Sequence, residues 1–340
     1  MSGGVVVTGG SGFLGSTFVR RAVSRGQPVV NVDVGTYAAD ERRLQSVRKS
    51  TDWSALRTEQ VDVATDAFTT LVRRLRPSVI VHFAAQTHVT RSENEAEAFE
   101  HANVDGTRGV LKAAEESGTD LVLHVSTDEI YGPCVGPPFR EDDPVVESDP
   151  GTSAYAKSKA RADEIARQSF PRIPIIVARL SNCFGPWQHP EKAIARWTVR
   201  ALQKQPIPVW GDGNQVRDWM YAEDATSGLE LLIERGTLGI VYNIAPQGRE
   251  RTNLEVARSV ASAAGQSPEA VYLSEYDRPL HDSRYAIDAS RIREIGWRPV
   301  GSFDDRLMET VDWYRLHPSW WEPLLPEAEA LYSDELELSP

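Results

Sequence analysis

The sequence predicts an α/β protein, a doubly wound parallel sheet with a smaller C-terminal lobe. Three observations lead there. Short β-branched runs alternate with amphipathic stretches as far as Leu180, glycines 9, 12 and 15 directly follow the first run, and the rhythm changes after Leu180, where Pro, Gly and aromatic residues crowd the chain. Continuous apolar strands separated by helices mark a parallel sheet covered on both faces. Right-handed crossovers then wind such a sheet in two directions.

The elements follow in order. VVVTGG opens as a strand, then comes a helix from Leu14 to about Arg25 and the strand PVVNVDV. VDVATD closes a third strand; SVIVHFAA and LVLHVST are strands on either side of a helix near Val104–Ser117. A helix from Ala154 to about Ser169 leads into IPIIVARL. SNCFGPWQHPEKAI and QKQPIPVWGDGNQ read as substrate loops rather than sheet, while YAEDATSGLELLIER and IVYNIA supply a helix and a strand that return to the first lobe. From about Pro246 the chain is mostly helical and polar, and its acidic end, EAEALYSDELELSP, is expected to fray. The first lobe thus comprises residues 1–180 plus about 219–245, the second about 181–218 and 246–330, and residues 331–340 form a flexible tail.

With 340 residues, 41% of them hydrophobic, the chain can bury a large core in two lobes. A net charge of −12 argues against a general nucleic-acid binder, so an anionic substrate would need local cations. Cys134 and Cys183 form no disulfide framework, and no metal-type spacing accompanies them. The N-terminus enters a strand at once, without a charged leader or cleavage site, and no apolar stretch approaches the roughly 18 residues that span a bilayer. A soluble cytoplasmic protein is expected.

GGSGFLG sets Gly9, Gly12 and Gly15 in a GxxGxxG spacing between strand and helix. Gly9 serves a tight turn, Gly12 lets the backbone approach a pyrophosphate, and Gly15 lets the helix pack on the strand. The helix N-terminus offers free N–H groups and the positive dipole end to phosphates. Asp33, at the end of the second strand, can bind both ribose hydroxyls and would repel a 2′-phosphate, which favours NAD over NADP. A side-chain oxygen of Asp62 and the N–H of Val63 could hold the adenine edge.

SAYAKSKA places Tyr155 and Lys159 four apart, on one helix face. A phenol with a reference pKa near 10 is a poor base at neutral pH; a nearby ammonium and a positive nicotinamide ring would favour the phenolate. Lys159 could also donate to the cofactor ribose. Before this pair, STDEIYG ends a buried strand with a hydroxyl pair and then Asp128 and Glu129. Two close carboxyls push their pKa values apart, which suits one proton donor and one acceptor. The alternative is a solvated acidic loop.

Taken together, GGSGFLGS, HFAAQTHVTRS, STDEIYG, YAKSKA, SNCFGPWQHPEKAI, GDGNQVRDW, YNIAPQGRERTNLEV and DRPLHDSRYAID resemble the dTDP-glucose 4,6-dehydratase family of extended short-chain dehydrogenases/reductases, in order from about Val5 to Trp321. The Thr-Asp-Glu triplet is the most specific part, because related epimerases and decarboxylases lack it. The resemblance implies a Rossmann first lobe, NAD as cofactor and a homodimer. It also implies a cycle in which a nucleotide-linked hexose is oxidised at C4, loses water across C5–C6 and is reduced at C6. Tyr155, helped by Thr127, would take the 4-hydroxyl proton, Glu129 the C5 proton, and Asp128 would protonate the leaving 6-hydroxyl. Phe13, Leu14, Thr36, Ala84, Ala85 and Asn103 join the cofactor residues on the same ground.

By matched motif, Asn182, Lys192, Arg217, Asn253, Arg278 and His281 correspond to nucleotide-sugar contacts, with Val209 and Trp210 beside the base and Thr87 and His88 lining the site. Arg217 and Arg278 could each fork onto phosphate oxygens. Arg217 has an alternative partner in Asp218, and Trp210 an alternative as core filler. Gln86 and Thr90 stand where the family usually has Glu and Asp, a loss of charge that could alter substrate preference. Three rivals remain: a nucleotide-sugar decarboxylase or 4-epimerase, a dehydratase for a modified or UDP-linked sugar, and a non-catalytic NAD-binding regulator.

Overall fold

The structure is a computed structural model and describes residues 4–50, 55–146, 151–276 and 282–332. Its thirteen strands among the described residues are β1 (Val5–Thr8), β2 (Val29–Asp33), β3 (Leu56–Gln60), β4 (Val79–His82), β5 (Leu121–Thr127), β6 (Ile175–Leu180), β7 (Cys183–Phe184), β8 (Ile207–Trp210), β9 (Val216–Asp218), β10 (Met220–Tyr221), β11 (Val241–Ile244), β12 (Glu250–Thr252) and β13 (Val271–Ser274). Seven form one sheet in the order β3-β2-β1-β4-β5-β6-β11, every pair parallel. The chain winds outward one way from β1 and then the other way from β4. The carboxyl ends of these two strands therefore border the crevice of a doubly wound sheet.

Apart from the polar and partly exposed edge strand β3, the runs that make these strands are largely buried on both faces, as apolar, mostly β-branched sequence requires. Val5 and Val7 point into one core with Phe18, Val19 and Val23 of the helix Phe13–Ser24; Val6 points into the other with Val32, Phe68 and Val72. That alternation is the two-residue period of a strand. β11 joins β6, carried back by the helix Ala222–Arg235.

A further core gathers Phe184, Ile194, Trp197, Val209, Val256, Val260, Phe303 and Val311. Here the expected loops contain ladders: β7 pairs β10, β8 pairs β13, and β9 pairs β12. Each partner lies far along the sequence, so local patterning could not reveal the pairing, and Pro208 is tolerated because a two-stranded ladder leaves β8 an open edge. The Gly106–Ser117 helix starts two residues later than expected because Glu100–Asp105 is wound as a π-helical turn. β3 ends at Gln60, so Asp62 stands beyond it rather than closing it.

The expected frayed end is ordered as far as Tyr332. Trp320, Trp321, Ala328 and Tyr332 are buried, Leu325–Ala330 is helical, and Glu327 bonds Arg91 at 2.9 Å. Its composition is polar, but every few residues an aromatic or aliphatic side chain goes inward. Residues 333–340 lie outside the described residues. Among the described residues no helix is long and apolar enough to cross a membrane.

Candidate active site

A cavity of about 640 Å³ opens along the carboxyl ends of β1, β2, β4 and β5. The glycine loop forms one wall. Gly9 has φ +69°, and a Cβ there would stand 2.7 Å from the Ala84 nitrogen; one on Gly15 would stand 2.2 Å from the Gly9 carbonyl oxygen. A Cβ on Gly12 would meet only that oxygen, at 3.1 Å, so its other side faces the cavity. The Ser11 and Gly35 N–H groups donate to the Asp33 carboxylate at 3.0 and 2.9 Å, which locks the loop to the end of β2. Asp62 accepts from the Ala64 N–H and pairs with His101, each at 2.9 Å. Phe13, Leu14, Thr36, Val63, Ala84 and Ala85 line the same end. This backbone cradle, empty of Cβ atoms where a phosphate would come closest and flanked by a carboxylate, fits a dinucleotide.

Asn103 corrects the expectation. Its amide accepts from the Gln86 N–H at 2.8 Å and donates to the Gln86 carbonyl and to the Ser158 hydroxyl. With the side chain so committed, it ties the loop after β4 to the helix Ala154–Gln168 and does not line the cavity.

That helix is capped by Ser153, which accepts from the Ala156 N–H, and it presents Tyr155 and Lys159 to the cavity. Opposite, β5 delivers Thr127 and a tight turn carries Asp128 and Glu129. Thr127 accepts from the Glu129 N–H and donates to Asp128, both at 3.3 Å. Glu129 lines the wall; Asp128 is 2% exposed and lies behind it, with Oδ2 buried and without a hydrogen-bond partner among the described residues. Burial, and then the charge of Glu129, pushes the Asp128 carboxyl up to about 8. Burial thus favours the neutral form of Asp128.

Tyr155 departs from expectation. Burial and the negative field of Glu129 push its phenol up, and a hydrogen bond with Thr127 opposes them. The Lys159 ammonium donates to the Val125 carbonyl at 2.9 Å, and its own burial pushes it down to about 8. Lys159 thus does not stabilise a phenolate in the chain alone, because burial outweighs it.

Thr87, His88, Asn182, Lys192, Trp210, Arg217 and Asn253 line the other end, together with Gln86 and Thr90. Lys192 donates to the Thr87 carbonyl at 3.0 Å, and Asn182 Oδ1 is buried without a hydrogen-bond partner among the described residues. Arg217 does not take Asp218 as its hydrogen-bond partner; it bonds the carbonyls of Val216 and Asp282 and lies 4.1 Å from the Tyr285 ring centroid. Val209 is the second correction: strand alternation turns Pro208 and Trp210 to the cavity and sends Val209 into the core. Arg278 and His281 lie outside the described residues.

Tyr285, Arg196 and Tyr332 also line the cavity, and sequence reasoning missed them as site residues. Tyr285 sat inside a matched motif, DSRYAID, and could have been found there. Arg196 stands one helical turn after Lys192, whereas Tyr332 carried no signal in an acidic end. Cys134 is packed as expected, its thiol donating to the Pro137 carbonyl at 3.3 Å, while burial pushes the Cys183 thiol up on the cavity wall.

Comparison with known proteins agrees with this geometry. The model of the NAD dependent epimerase/dehydratase family matches residues 5–245. The chain is 39% identical to the low-salt glycan biosynthesis protein Agl12 of Haloferax volcanii, covering 91% of this chain and 98% of that protein. It is 36% identical to the dTDP-glucose 4,6-dehydratase of Xanthomonas campestris pv. campestris, covering 94% and 95%. The solved dTDP-glucose 4,6-dehydratase DesIV of Streptomyces venezuelae, with NAD bound, superposes with a TM-score of 0.87 at 37% identity, covering 94% of this chain and 99% of that one.

Proposed function

Because the chain belongs to the NAD dependent epimerase/dehydratase family, we propose that it is an NAD-dependent 4,6-dehydratase acting on dTDP-glucose or a close analogue. The observation that carries this reading is the pair of carboxyls in different surroundings beside Tyr155: Asp128 enclosed, where burial favours its neutral form, and Glu129 on the cavity wall. An epimerase or decarboxylase has no use for the second of them. UDP-linked and modified sugars stay within the reading, because Gln86 and Thr90 line the wall without charge.

Gly9, Gly12, Phe13, Leu14, Gly15, Asp33, Thr36, Asp62, Val63, Ala84 and Ala85 would hold the cofactor. NAD bound there supplies a positive ring and a reversible two-electron acceptor. Tyr155, hydrogen-bonded to Thr127, takes the proton of the sugar 4-hydroxyl; burial first and the field of Glu129 second favour the protonated phenol in the chain alone, and a positive ring would oppose them. A ketone at C4 acidifies the C5 proton, and Glu129 removes it. In this reading Asp128, neutral at pH 7, comes forward from behind the wall to give its proton to the departing 6-hydroxyl, so water leaves. Return of the hydride to C6 and of a proton to C5 would then give the 6-deoxy ketosugar. Lys159 fixes the base-bearing helix to β5 through Val125 and reaches the cofactor ribose. Asn182, Lys192, Arg217, Asn253 and Trp210 receive the nucleoside diphosphate, with Thr87 and His88 nearer the sugar. In this reading residues 1–180 and about 219–245 hold the cofactor and the remainder holds the nucleotide sugar. The enzyme works as a homodimer in the cytoplasm.

Incubation with NAD and dTDP-glucose tests the proposal. The expected product is a 4-keto-6-deoxy sugar nucleotide carrying one solvent deuterium at C5, with no net consumption of NAD. Formation of the 4-epimer without a ketosugar, or inertness towards both dTDP-glucose and UDP-glucose, would overturn it.

A further inference from the structure

The geometry points to Arg196 as a binding residue for the substrate's diphosphate and to Tyr332 as the residue that positions it, an inference that rests on the nucleotide-sugar reading above. Lys192 stands at the N-cap of the helix Ala193–Leu202, Arg196 lies on its first turn, and both line the cavity. Arg196 is 4% exposed, its guanidinium 3.9 Å from the Tyr332 ring centroid and 3.7 Å from the Glu329 carboxylate. A cation resting on a ring face keeps its charge and its in-plane N–H donors, and those donors fit phosphate oxygens.

Tyr332 is itself fixed. Its hydroxyl donates to the Glu191 carbonyl at 2.5 Å and stands 3.4 Å from His88 Nε2, and its ring lies 5.7 Å from that of Trp210. It therefore sets the guanidinium among residues that already face the substrate. The other cations of the wall have different placements. Lys159 and Arg43 donate to backbone carbonyls at the catalytic and cofactor ends, which leaves Lys192, Arg196 and Arg217 at the substrate end among the described residues. A chain of net charge −12 must concentrate cations locally to receive a diphosphate, and burial beside a low-dielectric wall makes each one count for more.

The competing account makes Arg196 an anchor for the C-terminal segment through Glu329 and Tyr332. Titration of the NAD-loaded enzyme with dTDP and, separately, with thymidine distinguishes the two. Arg196→Gln should weaken dTDP by about tenfold or more, as loss of a charge-assisted contact to phosphate does, and leave thymidine and NAD within twofold. Arg196→Lys should recover part of the loss. Tyr332→Leu should follow Arg196→Gln with a smaller loss, Tyr332→Phe, which keeps the ring and loses the bond to Glu191, should lie between Tyr332→Leu and the parent, and in turnover KM should rise while kcat holds. Equal weakening of dTDP and thymidine in Arg196→Gln, or of neither, would overturn the assignment. A parent enzyme that binds neither dTDP nor UDP would instead strike the nucleotide-sugar reading on which it rests.

Discussion

The two ends of the cavity are built by different means. At the cofactor end a single loop of seven residues supplies the cradle, and its acids are satisfied from within: Asp33 by two backbone N–H groups, Asp62 by Ala64 and His101. At the substrate end the wall is gathered from segments as far apart as Thr87 and Tyr332. There the amide oxygen of Asn182 is buried without a hydrogen-bond partner among the described residues, as are the hydroxyls of Ser126 and Ser181 between the two ends. Buried polar atoms are nearly always paired, so each exception asks for an explanation. A bound group that is the same in every turnover can be met by backbone and closed hydrogen bonds. A molecule that must react and leave is met by side chains drawn from many segments, among them a buried amide oxygen without a hydrogen-bond partner among the described residues.

The largest expected effect breaks the reacting end and spares the other. Glu129→Gln keeps the size of the side chain and removes the base, and loss of a positioned general base costs about 100- to 10,000-fold in rate. Exchange of the C5 proton with solvent deuterium should disappear, while NAD affinity stays at the parent value. Normal exchange in this variant would remove Glu129 from the role of base.

The same contrast explains what could be read from the sequence. The glycine loop, Asp33 and the seven-stranded parallel sheet were legible because each depends on near neighbours: the spacing of Gly9, Gly12 and Gly15, or one strand-length run. The structure brings Thr127, Glu129, Tyr155 and Lys159 to one cavity, and that placement could be read because each sits just at or after the end of a strand or on the first turns of a helix whose position the sheet dictates. Asn103 failed because a π-helical turn and the contact with Ser158 redirect its side chain. Val209 failed because matching a motif does not say which face of a two-residue alternation turns inward. Tyr332 failed because its burial depends on Arg196, Trp210 and Glu191, more than a hundred residues earlier.

The next effect is smaller and turns on Asp128. Burial and Glu129 raise its carboxyl from 3.8 to about 8, so the neutral acid needed at the leaving hydroxyl is present at pH 7 and is lost as pH rises through about 8. Dehydration should therefore slow above that pH. Burial brings the Lys159 ammonium to about 8 as well, so an alkaline fall alone does not assign the group. Asp128→Asn separates them: dehydration should fall by about 100-fold, whereas C4 oxidation, read as absorbance of the reduced cofactor, should keep its own alkaline limb. The stability sign is opposite to that of a salt-bridged carboxylate. The folded chain holds a proton that the unfolded chain releases between 3.8 and about 8, so stability declines with pH across that window, and Asp128→Asn should flatten the decline in thermal unfolding.

The smallest expected effect tests the closed end. Asp33→Ala removes a carboxylate that holds the Ser11 and Gly35 N–H groups and faces the ribose position, and loss of such an acceptor should weaken NAD by about 1–3 kcal/mol in equilibrium binding. Part of that loss belongs to the loop, because two N–H groups are left to find water. Asp33→Asn divides the two contributions: its amide oxygen can still accept from Ser11, so the loop is largely kept, while the charge is gone. Discrimination against NADP should then shrink in both variants, since repulsion of a 2′-phosphate depends on charge, whereas NAD affinity should fall further in Asp33→Ala. If discrimination survived in Asp33→Asn, repulsion by the carboxylate would not be what excludes the phosphate. The closed end would then select its cofactor by the shape of the loop alone.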